Sequence, residues 1–212
     1  PHSPELVEHL RAHRTEYDAF VFVTYLYAPV YFGSEVTPPE RSFLVPTLHD
    51  EAPAYLPCYG RMARRFRRLL WNTTAERRLG QALWGDLPGV ITAMGIRTEA
   101  AEPAREQTPF VLYCGRIDAG KGCDHLIEFF LAAREALGLS HRLLLAGNLQ
   151  MELPKHPALE YLGFVDEERK FALMAGADVF CMPSSSESLS VVSLEAMAQG
   201  TPVLAHGDGE VL

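Results

Sequence analysis

The second half of this chain alternates between short apolar runs and amphipathic stretches, and this alternation limits the folds open to it. Each apolar run is about the length of one strand, and most of the stretches between runs are long enough to hold a helix. The pattern predicts βα units around a parallel sheet, that is, a nearly complete doubly wound half. The predicted strands are "FVLYCG" (110–115), "RLLLAG" (142–147), "LEYLGFV" (159–165), "DVFCMP" (178–183) and "PVLA" (202–205).

Two helices between these strands carry clear end signals. The stretch "CDHLIEFFLAAREALG" (123–138) is predicted to be a helix closed by Gly138. Asp166 is predicted to cap a second helix that runs to about Ala175.

A third predicted helix lies in "SSSESLSVVSLEAMAQG" (184–200) and carries two glutamates, Glu187 and Glu195, which are eight positions apart. Ser185, Ser186 or Glu187 is predicted to cap it. Eight helical residues rise about 12 Å and return to roughly the same side of the helix. Both carboxylates are therefore predicted to lie on one side of this helix.

The first hundred residues repeat the strand and helix pattern less regularly. Strands are predicted at 20–25, 43–49, 69–72 and 89–95, and helices near 4–17, 60–68 and 73–84. In "WNTTAERRL" (71–79), Thr73 or Thr74 is predicted to cap the last helix, with Glu76 in the capping-box position relative to Thr73.

The polar stretch between the halves divides the chain into domains. It contains proline and many charges, which is typical of a linker. We predict an N-terminal domain at 1–97, a linker at 98–108 and a C-terminal domain at 109–212. The N-terminal segment is too short for a sheet covered on both faces, so we expect it to be incomplete and the C-terminal domain to be truncated at its end.

Composition excludes several classes of protein. The net charge of −8 argues against general nucleic-acid binding, so any anion site must be local. The four cysteines are widely spaced and form no metal-binding pattern, which favours free thiols in a reducing compartment. The longest apolar run, from Ala19, is too short to span a membrane, and no signal peptide is visible. These features favour a cytoplasmic location.

A candidate anion site follows the first strand of the second half. The loop "GRIDAGKG" (115–122) places Arg116 and Lys121 just before a predicted helix, whose free amides and dipole add to the two positive charges. No Ser or Thr follows the lysine, so this is not a P-loop. Together with the glutamate pair, the loop suits a ligand with hydroxyls at both ends and phosphate in the middle, as in a nucleotide sugar.

This loop and the segment "ESLSVVSLEAMAQGTPVLA" (187–205) resemble the donor-binding domain of retaining glycosyltransferases of the GT-B fold, in glycosyltransferase family 4 (glycosyl transferases group 1). The shared features are the two cations and the E-x7-E glutamate pair. The resemblance covers 109–212 and, more loosely, 40–96. It implies an α/β fold with two Rossmann-like parallel-sheet halves, the N-terminal one incomplete here.

The resemblance also implies roles for individual residues. Arg116 and Lys121 match the pair that holds the donor diphosphate and stabilises its charge as the glycosidic bond breaks. Glu187 matches the carboxylate at the transferred sugar, and Glu195 the one that binds the ribose hydroxyls. His49, at the end of a predicted strand, matches a histidine of the donor-sugar pocket, although a structural role for it remains open.

The remaining implied donor contacts come from loops. They involve Gly115, Gly147 and Ser188 and the backbone amides of Leu189 and Ser190, which would contact phosphate. Many family members have glycine in place of Ser190, so the chain departs from the pattern there.

A basic stretch, "RMARRFRRLL" (61–70), is predicted to place four arginines on one face of a helix. This face is interpreted as a solvated surface. The alternative is peripheral contact with an anionic inner-membrane surface or with a phosphate-bearing acceptor. The arginines are Arg61, Arg64, Arg65 and Arg68.

The sequence therefore predicts a retaining glycosyltransferase that moves a sugar from a nucleoside diphosphate sugar to a glycan, lipid-linked or small-molecule acceptor, with no metal and no other cofactor. We expect this chain by itself to show little turnover. Two alternatives stay open: a nucleotide-sugar epimerase of the same fold, and a non-catalytic nucleotide-sugar-binding module. The donor base, the sugar, the acceptor and the oligomeric state are not determined by the sequence.

Overall fold

A computed structural model describes residues 3–185, 187 and 189–207 of the chain. The chain divides into two compact units, and the division falls between Met94 and Gly95. Each unit is built around a parallel sheet with helices packed on it. The two predicted α/β halves are therefore present.

The first unit has a sheet of four strands in the order β1-β2-β3-β4, and every neighbouring pair is parallel. The predicted strands are found at the predicted places but are shorter. Helix α2 was not predicted; it begins with a proline in its first turn, where the missing amide hydrogen costs nothing. The elements are α1 (Pro4–His13), β1 (Phe20–Val23), α2 (Ala28–Val36), β2 (Ser42–Val45), α3 (Pro57–Ala63), β3 (Arg68–Trp71), α4 (Thr74–Trp84) and β4 (Gly89–Ile91).

Helix α4 packs closely on β3 around a buried indole. A side chain at Gly80 would place its Cβ only 2.2 Å from the ring of Trp71. Thr73 caps the helix, because its hydroxyl accepts a hydrogen bond of 3.0 Å from the backbone amide of Glu76. The predicted cap is confirmed, and it places Glu76 on the buried first turn of α4.

The predicted arginine-bearing helix over 60–68 is wrong. Helix α3 ends at Ala63, and Arg68 is already in β3, where it pairs with Phe43 of β2. Periodicity did not reveal this boundary, because the apolar residues of a short buried strand can continue a helical spacing. The four arginines therefore do not share one helical face: Arg61, Arg64, Arg65 and Arg68.

Two of these arginines make contacts within the unit. Arg64 donates to the carbonyl oxygens of Gly60, at 2.6 Å, and Trp84, at 2.7 Å. Arg65 pairs with Glu35 at 2.9 Å. These contacts join neighbouring helices, while Arg61, Arg64 and Arg68 are exposed. Peripheral contact with an anionic membrane surface or a phosphate-bearing acceptor stays a prediction.

The second unit has a five-stranded sheet in the order β7-β6-β5-β8-β9, with all pairs parallel. The chain enters at the central strand, builds outward to β7, crosses to β8 and builds outward again. The point between β5 and β8 is the topological switch point, where doubly wound folds bind ligands. The elements are β5 (Phe110–Cys114), α5 (Cys123–Leu137), β6 (Arg142–Ala146), β7 (Leu159–Gly163), α6 (Glu167–Gly176), β8 (Val179–Met182), α7 (Val191–Ala198) and β9 (Val203–Ala205).

Both helix-end signals of this unit are confirmed. Gly138 closes α5 in the left-handed conformation, with φ of 63°. Asp166 caps α6 by accepting a hydrogen bond of 2.7 Å from the backbone amide of Arg169.

The helix predicted across 184–200 is shorter than expected. Helix α7 begins at Val191, with Ser190 as its N-cap. The caps predicted at Ser185 and Glu187 are therefore wrong. The third predicted cap, Ser186, lies outside the described residues. Serine-rich stretches favour turns and caps over helix interiors because their hydroxyls compete for backbone hydrogen bonds. Glu187 therefore precedes the helix that contains Glu195, and the predicted helical distance between the two does not apply.

The segment predicted to be a linker, 98–108, is bound to the second unit. The amide of Ala104 donates to the carbonyl oxygen of Ala172 on α6 at 2.8 Å. The side chain of Gln199 accepts from the amide of Ala101 at 2.8 Å and donates to Glu99 at 3.0 Å. This segment therefore packs as part of the second unit.

All four cysteines carry free thiols, and two of them, Cys123 and Cys181, are buried. Burial raises the pKa of the Cys181 thiol to about 11. Within the part of the chain that the structure describes, no helix is long and apolar enough to cross a membrane.

Candidate functional site

The loop after β5 runs beside the loop after β6 at the carboxyl edge of the second sheet. The amide of Ile117 donates to the carbonyl oxygen of Asn148, and that of Gln150 donates to Ile117, both at 2.8 Å. Gly147 has φ of 132°, and a Cβ there would lie 1.9 Å from the carbonyl oxygen of Gly115. Only glycine at position 147 allows this close approach, so Gly115 and Gly147 have a packing role in the structure. Their predicted contact with a donor stays a prediction.

The far end of the same loop reaches the end of β8. Asp118 accepts a hydrogen bond of 2.8 Å from the backbone amide of Lys121 and so caps the short turn Ala119–Lys121. Gly122 follows with φ of 73°, and a Cβ on it would lie 2.8 Å from the carbonyl oxygen of Pro183. Arg116 and Lys121 are thereby held at the switch point of the sheet.

The structure brings together two of the predicted site residues, Lys121 and Glu187. The ammonium Nζ of Lys121 donates to Oε1 of Glu187 at 2.7 Å, and both side chains are largely buried. An ammonium and a carboxylate at the carboxyl edge of the sheet can bind a phosphate and a hydroxyl, respectively.

Arg116 is more exposed and points its Nε at Asp118. Desolvation raises the pKa of Asp118, but hydrogen bonds from Arg116 and from the amide of Lys121 outweigh it, and the net shift is downward. About half of the Arg116 side chain remains exposed, at 52%. Its guanidinium therefore has donors left for an anion.

Glu195 has its own cation, Lys170 on α6, which the sequence reasoning missed. Nζ of Lys170 donates to Oε1 of Glu195 at 3.0 Å and to Oε2 at 2.9 Å. Its place in the sequence could have indicated it, because Lys170 lies near the start of a helix that follows a strand, next to the buried Phe171. The two glutamates of the E-x7-E pair are thus paired with two different lysines.

A buried tyrosine at the end of β5 supports the arginine loop. Tyr113 donates its hydroxyl to the carbonyl oxygen of Arg116 at 2.7 Å. Burial raises the pKa of this phenol, and the hydrogen bond with Cys123 and the nearby carboxylates add to the increase. The phenol stays neutral and can therefore keep donating to the loop.

The first turn of α7 has no side-chain cap from its N-cap residue. Ser190 is buried, and its hydroxyl contacts the hydroxyl of Ser193 at 2.7 Å instead of accepting from a backbone amide. First-turn amides without such a cap can donate to an anion. The predicted phosphate contacts of Leu189 and Ser190 stay predictions, and the predicted contact of Ser188 lies outside the described residues.

The first unit also has an unusual carboxyl edge. Three residues other than glycine have positive φ there: Thr24, at 60°, follows β1; Thr47, at 50°, follows β2; and Ala93, at 54°, follows β4. Each such conformation costs about 1–3 kcal/mol, and such residues cluster at functional sites.

His49 lies beyond the end of β2, in the loop that contains Thr47. The strand ends at Val45, so the predicted strand through His49 is wrong, because Thr47 leaves the extended conformation. Nδ1 of His49 is buried and has no hydrogen-bond partner among the described residues. Its role at a donor sugar stays a prediction.

A buried glutamate joins two loops at this edge. Glu76 accepts hydrogen bonds from the backbone amides of Leu48, at 2.7 Å, and Asn72, at 2.5 Å. Burial raises the pKa of Glu76, while these backbone hydrogen bonds act in the opposite direction. The side-chain amide of Asn72 is buried and makes no hydrogen bond within the described ranges. Sequence reasoning missed Asn72, although a polar residue at the end of the apolar strand predicted at 69–72 could have indicated it.

An apolar groove of about 760 Å³ in the second unit is not the candidate site. Side chains of α5, β8 and β9 line it, including Phe129 and Leu204. It contains none of the cations or glutamates described above, and its lining is unsuited to a diphosphate.

Comparison with known proteins identifies the family. Residues 96–211 match the sequence model of the family described as Glycosyl transferases group 1. The chain belongs to this family. The match spans the whole second sheet, including the cation loop and both glutamates.

The curated relatives that the chain resembles include enzymes with different names. The chain is 31% identical over 150 residues to a phosphatidyl-myo-inositol mannosyltransferase of Mycobacterium leprae, covering 65% of this chain and 40% of the relative. It is 30% identical over 131 residues to a glycogen synthase of Fusobacterium nucleatum, covering 58% and 28%. It is 31% identical over 100 residues to a GDP-mannose-dependent phosphatidylinositol dimannoside mannosyltransferase of Mycobacterium tuberculosis, covering 44% and 26%. The chain spans less than half the length of these relatives.

Solved structures of other proteins have the same fold as this group 1 chain. Sucrose-phosphate synthase from Thermosynechococcus elongatus aligns with a TM-score of 0.75 at 18% identity, over 97% of this chain and 60% of that one. WaaG, a glycosyltransferase involved in lipopolysaccharide biosynthesis, aligns with a TM-score of 0.66 at 18% identity, over 93% and 61%. The two parallel-sheet units have the GT-B fold.

Proposed function

We propose that the second unit binds a nucleoside diphosphate sugar, and that the protein transfers the sugar to an acceptor with retention of anomeric configuration. The observation that supports this proposal most is the pair of cation–carboxylate contacts, Lys121 with Glu187 and Lys170 with Glu195, in a unit whose sequence matches a glycosyltransferase family. Both contacts lie at the carboxyl edge of a doubly wound sheet, where this fold class binds ligands.

The diphosphate is assigned to Arg116, Lys121 and the first turn of α7. The chain has a net charge of −8, so attraction for the diphosphate must come from these local groups. The exposed guanidinium and the ammonium supply two positive charges, and the helix amides add donors without a counter-charge.

The hydroxyl groups of the ligand are assigned to the two glutamates. A carboxylate accepts hydrogen bonds from hydroxyl groups at both oxygens. Glu195 is assigned to the ribose and Glu187 to the transferred sugar. The proposal requires no metal ion and no further cofactor.

The proposed chemistry is an electrostatically assisted displacement. The bond between the anomeric carbon and the β-phosphate oxygen breaks, and its electron pair stays on the diphosphate. Arg116 and Lys121 stabilise the charge that develops on that oxygen. An acceptor hydroxyl bonds to the anomeric carbon on the face that the diphosphate leaves, and its proton passes to the departing phosphate oxygen. Attack on that same face retains the anomeric configuration.

A binding screen tests the donor assignment. UDP, GDP and ADP, each free and as the glucose or mannose derivative, are titrated into the chain by calorimetry and by thermal shift. We expect one base to bind and stabilise the protein. Absence of binding for every nucleotide would refute the proposal.

NMR of the sugar nucleotide that binds then distinguishes a transferase from an epimerase and from a binding module. Transfer to an added acceptor with an unchanged anomeric configuration supports the proposal. Inversion of a ring carbon without acceptor would identify an epimerase. Binding without any reaction would identify a binding module.

A further inference from the structure

The ion pair of Lys170 with Glu195 differs from that of its more exposed neighbour Arg169. Its ammonium contacts both oxygens of Glu195 almost symmetrically, at 3.0 and 2.9 Å. The side chains are 20% and 11% exposed, respectively. By contrast, Arg169 pairs with Glu106 at 2.6 Å with 44% of its side chain exposed. The ion pair of Lys170 is therefore more buried than that of Arg169.

The pair is also held from the lysine side. Nζ of Lys170 lies 4.5 Å from the ring centroid of Phe171, which is itself buried. A cation over an aromatic face is attracted to it, so the ring restricts where the ammonium can move. The carboxylate of Glu195 is thus oriented by a cation that is itself restrained.

Burial makes this contact important for Glu195. A buried charge is costly unless a partner of opposite charge compensates it. Lys170 is that partner for Glu195, whose side chain is only 11% exposed.

The number of acceptor positions leaves room for a ligand. A carboxylate has about four lone-pair positions, two on each oxygen. Among the described residues, Lys170 donates to one position on each oxygen of Glu195, which leaves one position on each for a ligand. Two remaining acceptors on one carboxylate match two adjacent hydroxyls, which is the arrangement on a ribose.

We propose that Lys170 is a positioning residue that makes Glu195 selective for the ribose diol of the donor. This inference rests on the proposed function. It predicts that the protein discriminates a ribonucleotide from its deoxy counterpart, and that this discrimination depends on Lys170, which does not itself need to touch the nucleotide.

The test compares ribose and deoxyribose forms of the same nucleotide. UDP, GDP, dUDP and dGDP are titrated calorimetrically into the chain and into Lys170→Met, which keeps the side-chain length and removes the charge. We expect the chain to bind the ribose form of one base at least about tenfold more tightly than the deoxy form, because a hydrogen bond to a charged group is lost. In Lys170→Met, we expect the ribose form to lose more affinity than the deoxy form, which has only the 3′-hydroxyl for Glu195, so that the ribose preference falls.

Two further variants keep the result interpretable if the unpaired carboxylate destabilises Lys170→Met. Lys170→Met combined with Glu195→Gln removes both charges, and we expect it to melt at a higher temperature than Lys170→Met and to bind both forms equally. Arg169→Met removes a neighbouring cation on the same helix, and we expect it to keep the ribose preference.

The outcomes separate this inference from the proposed function. If the unmodified chain binds none of the four nucleotides, the proposed function fails. If it binds them and Lys170→Met keeps the ribose preference, or weakens both forms equally, the positioning role is refuted.

Discussion

Lys121 and Glu187 lie 66 residues apart in the sequence, yet Nζ of the lysine is 2.7 Å from Oε1 of the glutamate. The phosphate-binding cation of the proposed site is thus paired with the carboxylate assigned to the sugar. A diphosphate would compete with Glu187 for Lys121, so the two proposed functions of this edge are electrostatically linked.

Replacing Glu187 by Gln should therefore separate binding of the nucleotide from transfer of the sugar. We expect the affinity for the free nucleoside diphosphate to stay the same or to rise by about threefold to tenfold, because a competing partly buried charge is removed. Sugar transfer should fall. Calorimetry with UDP and GDP measures the first effect. Glu160→Gln, which breaks an ion pair with Arg142, serves as the control. A loss of nucleotide affinity in Glu187→Gln alone would contradict this linkage.

Removing the cations should have the opposite effect on the diphosphate. We expect Arg116→Ala and Lys121→Ala each to weaken nucleoside diphosphate binding, and to slow transfer by roughly 10²-fold, because each removes charge stabilisation from the leaving group. Arg78→Ala removes an exposed arginine of the first unit and should change neither quantity. Unchanged binding in both site variants would show that the diphosphate is bound elsewhere.

Glu76→Gln should destabilise the first unit. An amide side chain has one carbonyl oxygen, so it can replace only part of the two bonds to the amides of Leu48 and Asn72. We expect a loss of about 1–3 kcal/mol in the free energy of unfolding. Both tryptophans, Trp71 and Trp84, are buried in this unit, so their fluorescence during urea unfolding reports on it directly.

The same substitution should change the pH dependence of stability. Burial raises the pKa of Glu76 above its unfolded value, so the folded state binds more protons than the unfolded state between the two values. Stability contributed by Glu76 is therefore full at low pH and is lost as pH rises through the folded pKa. We expect the difference in unfolding free energy between the chain and Glu76→Gln to be larger near about pH 4 than near about pH 8. Glu5→Gln, at an exposed position, should leave it unchanged.

Gly147→Ala should disrupt the loop pair at the second sheet. Its Cβ would lie 1.9 Å from the carbonyl oxygen of Gly115, and the loop after β5 would have to move. We expect the second unit to lose about 1–3 kcal/mol or more of stability, measured by circular dichroism during unfolding. Gly138→Ala is the matched control. Its φ is also positive, at 63°, but no atom lies within 4 Å of the added Cβ, so its cost should be only about 1–2 kcal/mol. Equal costs would show that the contact with Gly115 is not limiting.

The alternation of apolar runs located the strands of both sheets, because each strand is short, apolar and bounded by turn residues. End signals were also reliable where one side chain makes one local hydrogen bond, as at Thr73 and Asp166. The start of α7 was predicted too early in the chain. The apolar residues from Leu189 onward have a helical spacing, but the serine-rich stretch before them favours a turn over a helix, and α7 begins only at Val191.

By itself, the sequence determined the parallel α/β class and the group 1 family, because these follow from local pattern and motif. It also indicated the cation loop and the two glutamates as a candidate site. Only the tertiary structure decided which charges meet. Lys170 contacts Glu195 across 25 positions, and Glu76 contacts Leu48 across 28. Such pairs depend on the order of strands in a sheet and on the packing of helices against it, and a local pattern of residues does not contain either.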